Sequence, residues 1–188
     1  REISVTEAES AAVSRCLREL EVLAQSHSGE PGWGVYPFGS LTNGFAKSGS
    51  DLDVACCHAD PGRDPSVAKR AMLQWFANSP HFEVVREIST ARVPILRLRF
   101  EAMLDVDLSF QNSEPLPNTQ LLRAYATLYP IVRSLGLLVK MWAKSVEVCG
   151  AADGNLSAYS LTLMAIYFMQ VNREVGLPCL PVHLFNGG

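Results

Sequence analysis

FGSLTNGFAKSGSDLDVACC, residues 38–57, is the stretch on which the fold turns. Its last part, Val54 to Cys57, is β-branched and apolar enough for a buried strand. Side chains alternate along a strand, so Asp51 and Asp53 share one face while Leu52 and Val54 enter the core. Two carboxylates that close raise each other's pKa unless a cation neutralises them, and oxygen-only ligands with an open coordination sphere suit Mg²⁺. Upstream, Gly39-Ser40 follows a strand-like run, Trp33 to Phe38. It offers a residue without a Cβ, a hydroxyl, and backbone N–H groups able to approach a phosphate closely. The same residues also fit a plainer reading, a glycine-punctuated turn leading into a strand whose exposed face is acidic.

Before this stretch, Thr6 and Glu9 form a capping box for a helix from Glu7 to Ala24, with Ala12, Val13, Cys16, Leu17, Leu20 and Leu23 at helical spacing. After it, Asp64-Pro65 reads as a cap followed by proline at the first helical position. Val67, Ala68, Ala71, Met72, Trp75 and Phe76 give that helix a buried face. Three strands are predicted at Phe82 to Ile88, Val93 to Phe100 and Met103 to Phe110. In the last, Leu104, Val106, Leu108 and Phe110 face one way and Asp105, Asp107 and Ser109 the other. If this strand lies beside the Asp51 strand, Asp105 or Asp107 completes a cluster of three carboxylates.

From Pro115 the pattern is helical. Asn118 is placed to cap a helix from Thr119 to Leu128, and Tyr129-Pro130 ends that helix and starts another through about Val148. Lys140 and Lys144 share a face of the second helix, as solvated charges usually do, but within an otherwise apolar run. Ser157 caps a helix to about Glu174 that is apolar on nearly every side and therefore expected to be buried, with Tyr159 in its first turn.

The 188 residues are 48% apolar and 19% charged with a net charge of −3, a composition for one domain or one domain and part of another. No broad basic footprint is present, so nucleic-acid contact must be local. Cys16, Cys56, Cys57, Cys149 and Cys179 contain no C-x-x-C pair and read as reduced, buried thiols of an intracellular protein. Cys56-Cys57-His58 is better explained by core packing than by zinc, because adjacent strand residues face opposite ways. The longest apolar run, Leu161 to Met169, is far short of the roughly 20 residues of a span, and no membrane association is expected.

An apolar residue, Gly-Ser, ten residues, then Asp-apolar-Asp-apolar resembles the signature of the DNA polymerase β-like nucleotidyltransferase superfamily. Val106-Asp107-Leu108-Ser109-Phe110 resembles its third motif and favours Asp107 over Asp105. Ala91-Arg92-Val93-Pro94-Ile95, Asn118-Thr119-Gln120-Leu121-Leu122, Leu138 to Lys144 and Leu156 to Leu161 resemble the branch of terminal uridylyltransferases and divergent poly(A) polymerases. The resemblance implies an α+β fold. An N-terminal nucleotidyltransferase palm over 1–114, a small mixed sheet with flanking helices, carries the aspartates. A helical nucleotide-binding lobe follows over 115–188, incomplete in this chain and expected to continue past Gly188.

The activity implied is template-independent addition of UMP from UTP to an RNA 3′ hydroxyl with release of pyrophosphate. Asp51, Asp53 and Asp107 would bind two Mg²⁺ ions, with Mn²⁺ as an alternative, while Gly39, Ser40, Lys140 and Lys144 would hold the triphosphate. By the same resemblance Asn118 contacts the ribose and Thr119 the base, Ser157 a phosphate, Tyr159 stacks on the base, and Arg92 and Arg97 contact the single-stranded RNA. Relatives often carry serine where this chain has Ala158, which leaves Ser157 and Ser160 as alternative phosphate contacts. Poly(A) polymerase activity with ATP, nucleotidyl transfer to a small molecule, and a non-catalytic nucleotide- or RNA-binding module are the alternatives. An intracellular location is expected, with cytoplasm and mitochondrion as alternatives.

Overall fold

The computed structural model describes residues 4–89, 93–150 and 154–185. The chain forms two compact units, Arg1–Thr42 with Ala46–Thr119, and Asn43–Phe45 with Gln120–Gly188.

The first unit contains α1 (Glu7–His27), β1 (Trp33–Phe38), the short α2 that begins at Gly39 and ends at Asn43, β2 (Leu52–His58), α3 (Ser66–Phe76), β3 (Phe82–Ile88), β4 (Ile95–Phe100) and β5 (Leu104–Phe110). The five strands form one mixed sheet in the order β1-β2-β5-β4-β3, in which only β2 and β5 run parallel. Alternation decides its faces. Leu52, Val54, Leu96, Leu98, Phe100, Val106 and Leu108 are buried in one cluster with Leu20 and Leu23 of α1 and Met72 and Phe76 of α3. The residues between them, Asp53, Arg97, Arg99, Asp105 and Asp107, therefore project from the opposite face.

The capping box of α1 forms as expected: Thr6 Oγ1 accepts from Glu9 N, and Thr6 N donates to Glu9 Oε2 at 2.7 Å. The start of α3 differs from expectation by one residue. Pro65 is the N-cap, and Asp64 Oδ1 accepts from Ser66 N at 2.9 Å as a turn outside the helix.

The second unit is helical. Its elements are the C-terminal part of α4 (Pro115–Leu128), α5 (Pro130–Ser145), α6 (Ala158–Val171) and a 3₁₀ turn at Val182–Phe185. Phe45, Leu122, Tyr125, Val132, Ile166, Met169 and Leu177 make its core. Gly136 has no room for a Cβ, which would lie 2.5 Å from the Phe45 ring.

Asn118 is not an N-cap. Proline lacks an N–H that the first turn of a helix leaves unpaired anyway, so Pro115 and Pro117 are tolerated there and α4 begins at Pro115. Asn118 lies within that helix. The α5 helix stops at Ser145, short of Val148, with Glu147 at φ +57°. Ser157 does cap α6, accepting from Ser160 N at 3.1 Å.

The expectation that α6 is buried all round fails. Leu161, Thr162, Ala165, Ile166 and Met169 form its buried stripe, whereas Met164, Tyr167, Phe168 and Val171 are exposed. Two of the five thiols depart from expectation as well. Cys16, Cys56 and Cys57 are buried, but Cys149 is half-buried and Cys179 exposed. Burial pushes the Cys16 and Cys56 thiols up to about 12, so both stay protonated and act as core side chains. No helix among the described residues is long and apolar enough to cross a membrane.

Candidate active site

Strand register brings the site residues of the first unit together. On the parallel pair β2 and β5, Asp53 lies beside Asp107; on the antiparallel pair β5 and β4, Asp107 lies beside Arg97. Arg97 grips Asp107 at both ends, with Nε donating to Oδ1 and Nη2 to Oδ2, each at 2.8 Å. This pairing raises the guanidinium pKa further, and the charges of Asp51 and Asp105 add to it. One step along the same face, Arg99 Nε donates to Asp105 Oδ1 at 2.8 Å, a more exposed pair. Asp51 precedes β2 and is exposed.

Gly39 is fixed by Asp53. It sits at φ +71°, and a Cβ there would fall 1.9 Å from Asp53 Oδ2. Both facts demand glycine, because L side chains disfavour the left-handed region and because the backbone runs against the carboxylate. Gly39 N donates to Thr119 Oγ1 at 3.2 Å, so the buried Thr119, the last residue of the first unit, holds the same turn. Ser40 is half-buried in the next position of α2.

Sequence reasoning missed Glu9 as an anchor for this site. Besides closing the capping box, its Oε1 accepts from Ser48 Oγ at 2.9 Å and Gly49 N at 2.8 Å, pinning the loop that leads into Asp51. The backbone N–H groups of Thr6 and Gly49 hold the Glu9 carboxyl down at about 2. The S/T-x-x-E pattern signalled the cap; nothing local in the sequence signalled the loop 39 residues on. Arg97 was read as an RNA contact, and its pairing with Asp107 follows only from register. Arg92, the other arginine so read, lies outside the described residues.

In the second unit, Lys140 Nζ donates to the Phe45 carbonyl at 2.7 Å, and Lys144 is exposed one turn further along α5. Ser157 and Ser160 share a hydrogen bond between hydroxyls at 2.9 Å. Tyr159, in the first turn of α6, is 37% exposed rather than enclosed, and what burial it has raises its phenol pKa. Asn118 is exposed on α4, its Nδ2 donating to the Glu114 carbonyl at 3.5 Å.

Among the described residues no three His, Cys, Asp or Glu side chains are gathered closely enough to hold a metal ion. The cluster of three carboxylates expected from sequence is thus not a ready-made cage: Asp107 spends both oxygens on Arg97. The donor set nonetheless fits a divalent cation. Asp53 and Asp107 are neighbouring carboxylates of like charge, the oxygen-only donors such a cation takes, and Asp107 already holds a positive charge in Arg97.

Residues 1–127 match the family described as poly(A) RNA polymerase, mitochondrial-like, central palm domain. The chain is 33% identical to human terminal uridylyltransferase 7 over 155 residues, 80% of this chain and 10% of that protein. It is 35% identical to the poly(A) RNA polymerase gld-2 of Caenorhabditis elegans over 153 residues, 78% of this chain and 14% of that protein. The structure of the Cid1 poly(U) polymerase with Mg and 3′-dATP bound superposes with a TM-score of 0.80 at 28% identity, covering 94% of this chain and 54% of that one. The chain therefore spans about half the length of that solved structure and far less of the two curated relatives. With its five-stranded mixed sheet, the match over residues 1–127 and relatives above 30% identity, the chain belongs to the terminal uridylyltransferase and divergent poly(A) polymerase branch of the nucleotidyltransferase superfamily.

Proposed function

We propose that this chain is the nucleotidyl-transferring part of an enzyme that adds nucleoside monophosphates to the 3′ hydroxyl of single-stranded RNA, with UTP the favoured donor and pyrophosphate the leaving group. The side-by-side placement of Asp53 and Asp107, with the Gly39 backbone against Asp53, carries this reading. Asp51, Asp53 and Asp107 are the residues assigned to two divalent cations, Mg²⁺ or Mn²⁺, and likeness to a Mg-bound polymerase supports such a cation. When bound, the cations would lower the pKa of the attacking hydroxyl and offset charge on the leaving pyrophosphate.

The chain's own groups position and neutralise. Gly39, whose own N–H is given to Thr119, lets phosphate approach the backbone closely for want of a Cβ, Ser40 offers its N–H and hydroxyl, and Lys140 and Lys144 offer positive charge to the triphosphate. Tyr159 keeps enough exposed ring to stack on a base. Ser157, already committed to the α6 cap, offers its remaining hydrogen-bonding capacity to phosphate, with Ser160 beside it. Thr119 accepts from Gly39 and keeps its own hydroxyl proton for the base. Asn118 is assigned to the ribose, and Arg92 and Arg97 to the RNA.

Adenylation is the second reading, favoured by the matched family being one of poly(A) RNA polymerases. Incubating the full-length protein with a 5′-labelled RNA, Mg²⁺ and each NTP separately tests both. A ladder with UTP is the expected result. A ladder only with ATP makes the protein a poly(A) polymerase, and no extension with any NTP refutes nucleotidyl transfer to RNA.

A further inference from the structure

Across the face of the sheet that carries Asp53, register sets Asp53, Asp107, Arg97 and Arg86 in one row on β2, β5, β4 and β3. The row is segregated, two carboxylates followed by two guanidinium groups. The next row, Asp105, Arg99 and Glu83, alternates in sign. Within the first row Asp107 has both oxygens taken by Arg97, and its side chain is 14% exposed while that of Arg97 is 42% exposed. The carboxylate is shielded and the arginine is open to solvent, so the arginine is the partner able to leave.

Resting on the reading of Asp53 and Asp107 as metal ligands, we propose that Arg97 is a resident counter-cation: it neutralises Asp107 in the metal-free protein and must give up that carboxylate when a divalent cation binds. Two adjacent carboxylates repel each other unless positive charge offsets them, and a bidentate guanidinium supplies that charge to Asp107 in a geometry that blocks both its oxygens. Once released, Arg97 has the like-charged Arg86 beside it, which biases it back to Asp107. Metal binding by the nucleotide-free protein is thereby held weak, and it tightens when an anionic ligand takes the freed guanidinium.

Mn²⁺ binding to the full-length protein, without nucleotide or RNA, tests this by counting free ion from its paramagnetic resonance signal. Arg97→Met is expected to bind Mn²⁺ at least about tenfold more tightly than wild type. Arg97→Lys, with the charge but not the fork, is expected to fall between. Arg99→Met is the control for a general change of field, since it removes the same charge from the same face at Asp105. It should shift affinity by no more than about twofold. In metal-free buffer Arg97→Met should melt earlier than wild type, and Mn²⁺ should close the difference. Equal gains in Arg97→Met and Arg99→Met, no gain in Arg97→Met, or an unchanged metal-free Tm would each overturn the counter-cation. Failure of the underlying reading looks different: Asp107→Asn would leave Mn²⁺ binding intact.

Discussion

Replacing Gly39 by alanine probes the site through one atom. The added Cβ would lie 1.9 Å from Asp53 Oδ2 and 2.7 Å from its Cγ, at a residue with φ +71°. Left-handed backbone costs a residue with a Cβ about 1–2 kcal/mol. The clash adds a displacement, because the carboxylate oxygen must retreat by about 1.1 Å, from 1.9 to the 3.0 Å below which Cβ contacts essentially never occur. A misplacement of about 1 Å in a reacting constellation costs on the order of 10²-fold in rate. Gly39→Ala in the full-length protein should therefore lose about 10²-fold in kcat/KM for RNA extension while its stability falls by only about 1–2 kcal/mol. Gly176→Ala separates the two effects. Gly176 has φ +60° with nothing within 4 Å of its would-be Cβ, so it incurs the backbone cost alone and should extend RNA at close to the wild-type rate. If Gly39→Ala loses no more activity than Gly176→Ala at matched folded fraction, the contact between Gly39 and Asp53 does not set the geometry of the site.

Lys144→Ala should weaken NTP binding by about 1.5–3 kcal/mol, one to two orders of magnitude in Kd by calorimetry, with RNA affinity nearly unchanged. Loss of RNA affinity instead would assign the lysine to the RNA track. Tyr159→Phe should keep most NTP affinity and Tyr159→Ala lose about 1–3 kcal/mol of it. Because the ring is part exposed, the accompanying loss of stability should fall below the roughly 3–5 kcal/mol of a fully buried aromatic. A variant that mainly melts early and binds NTP normally would make the tyrosine structural. Glu9 sets a pH dependence. Its carboxyl is held at about 2 against an ordinary 4.5, so it favours the folded state above pH 4.5, and that contribution disappears as pH falls from 4.5 towards 2. The Tm gap between wild type and Glu9→Gln should be full at pH 6 and close across that window. A gap independent of pH would place the effect in packing rather than charge.

Much of this was legible because it is local. The Thr6 and Glu9 cap, the five strands and the Ser157 cap are written in spacings of two to four residues, and the ends that alternation predicts for the strands lie within two residues of the observed ones. Side-chain alternation also placed Asp53 and Asp107 on exposed strand faces. What alternation could not supply was register. Only the pairing of β4 with β5 reveals that Arg97 faces Asp107, and only the path of the chain reveals that Glu9 holds the 48–49 loop. Asn118 was misread because a good capping residue drew attention from Pro115 and Pro117, which the first turn of a helix accommodates. The α6 helix was misread for a different reason. Its composition is apolar all round, but burial requires a neighbour on every side, and only the stripe through Leu161, Ala165 and Met169 has one among the described residues.

The most direct test is the rate of single-nucleotide addition to a labelled RNA 3′ end by the full-length protein at saturating UTP and Mg²⁺, comparing wild type with Asp53→Asn and Asp107→Asn. On the proposed metal-assisted transfer each carboxylate would supply several kcal/mol of transition-state stabilisation, so both variants should fall by about 10³-fold or more. Losing Asp107 also strands Arg97, but that arginine is open to water and can be rehydrated, and repulsion with Asp53 is relieved, so the stability change should stay within about 1 kcal/mol. Extension by either variant within about tenfold of wild type, with the fold intact, would contradict the assignment of Asp53 and Asp107 as the groups that carry the reaction.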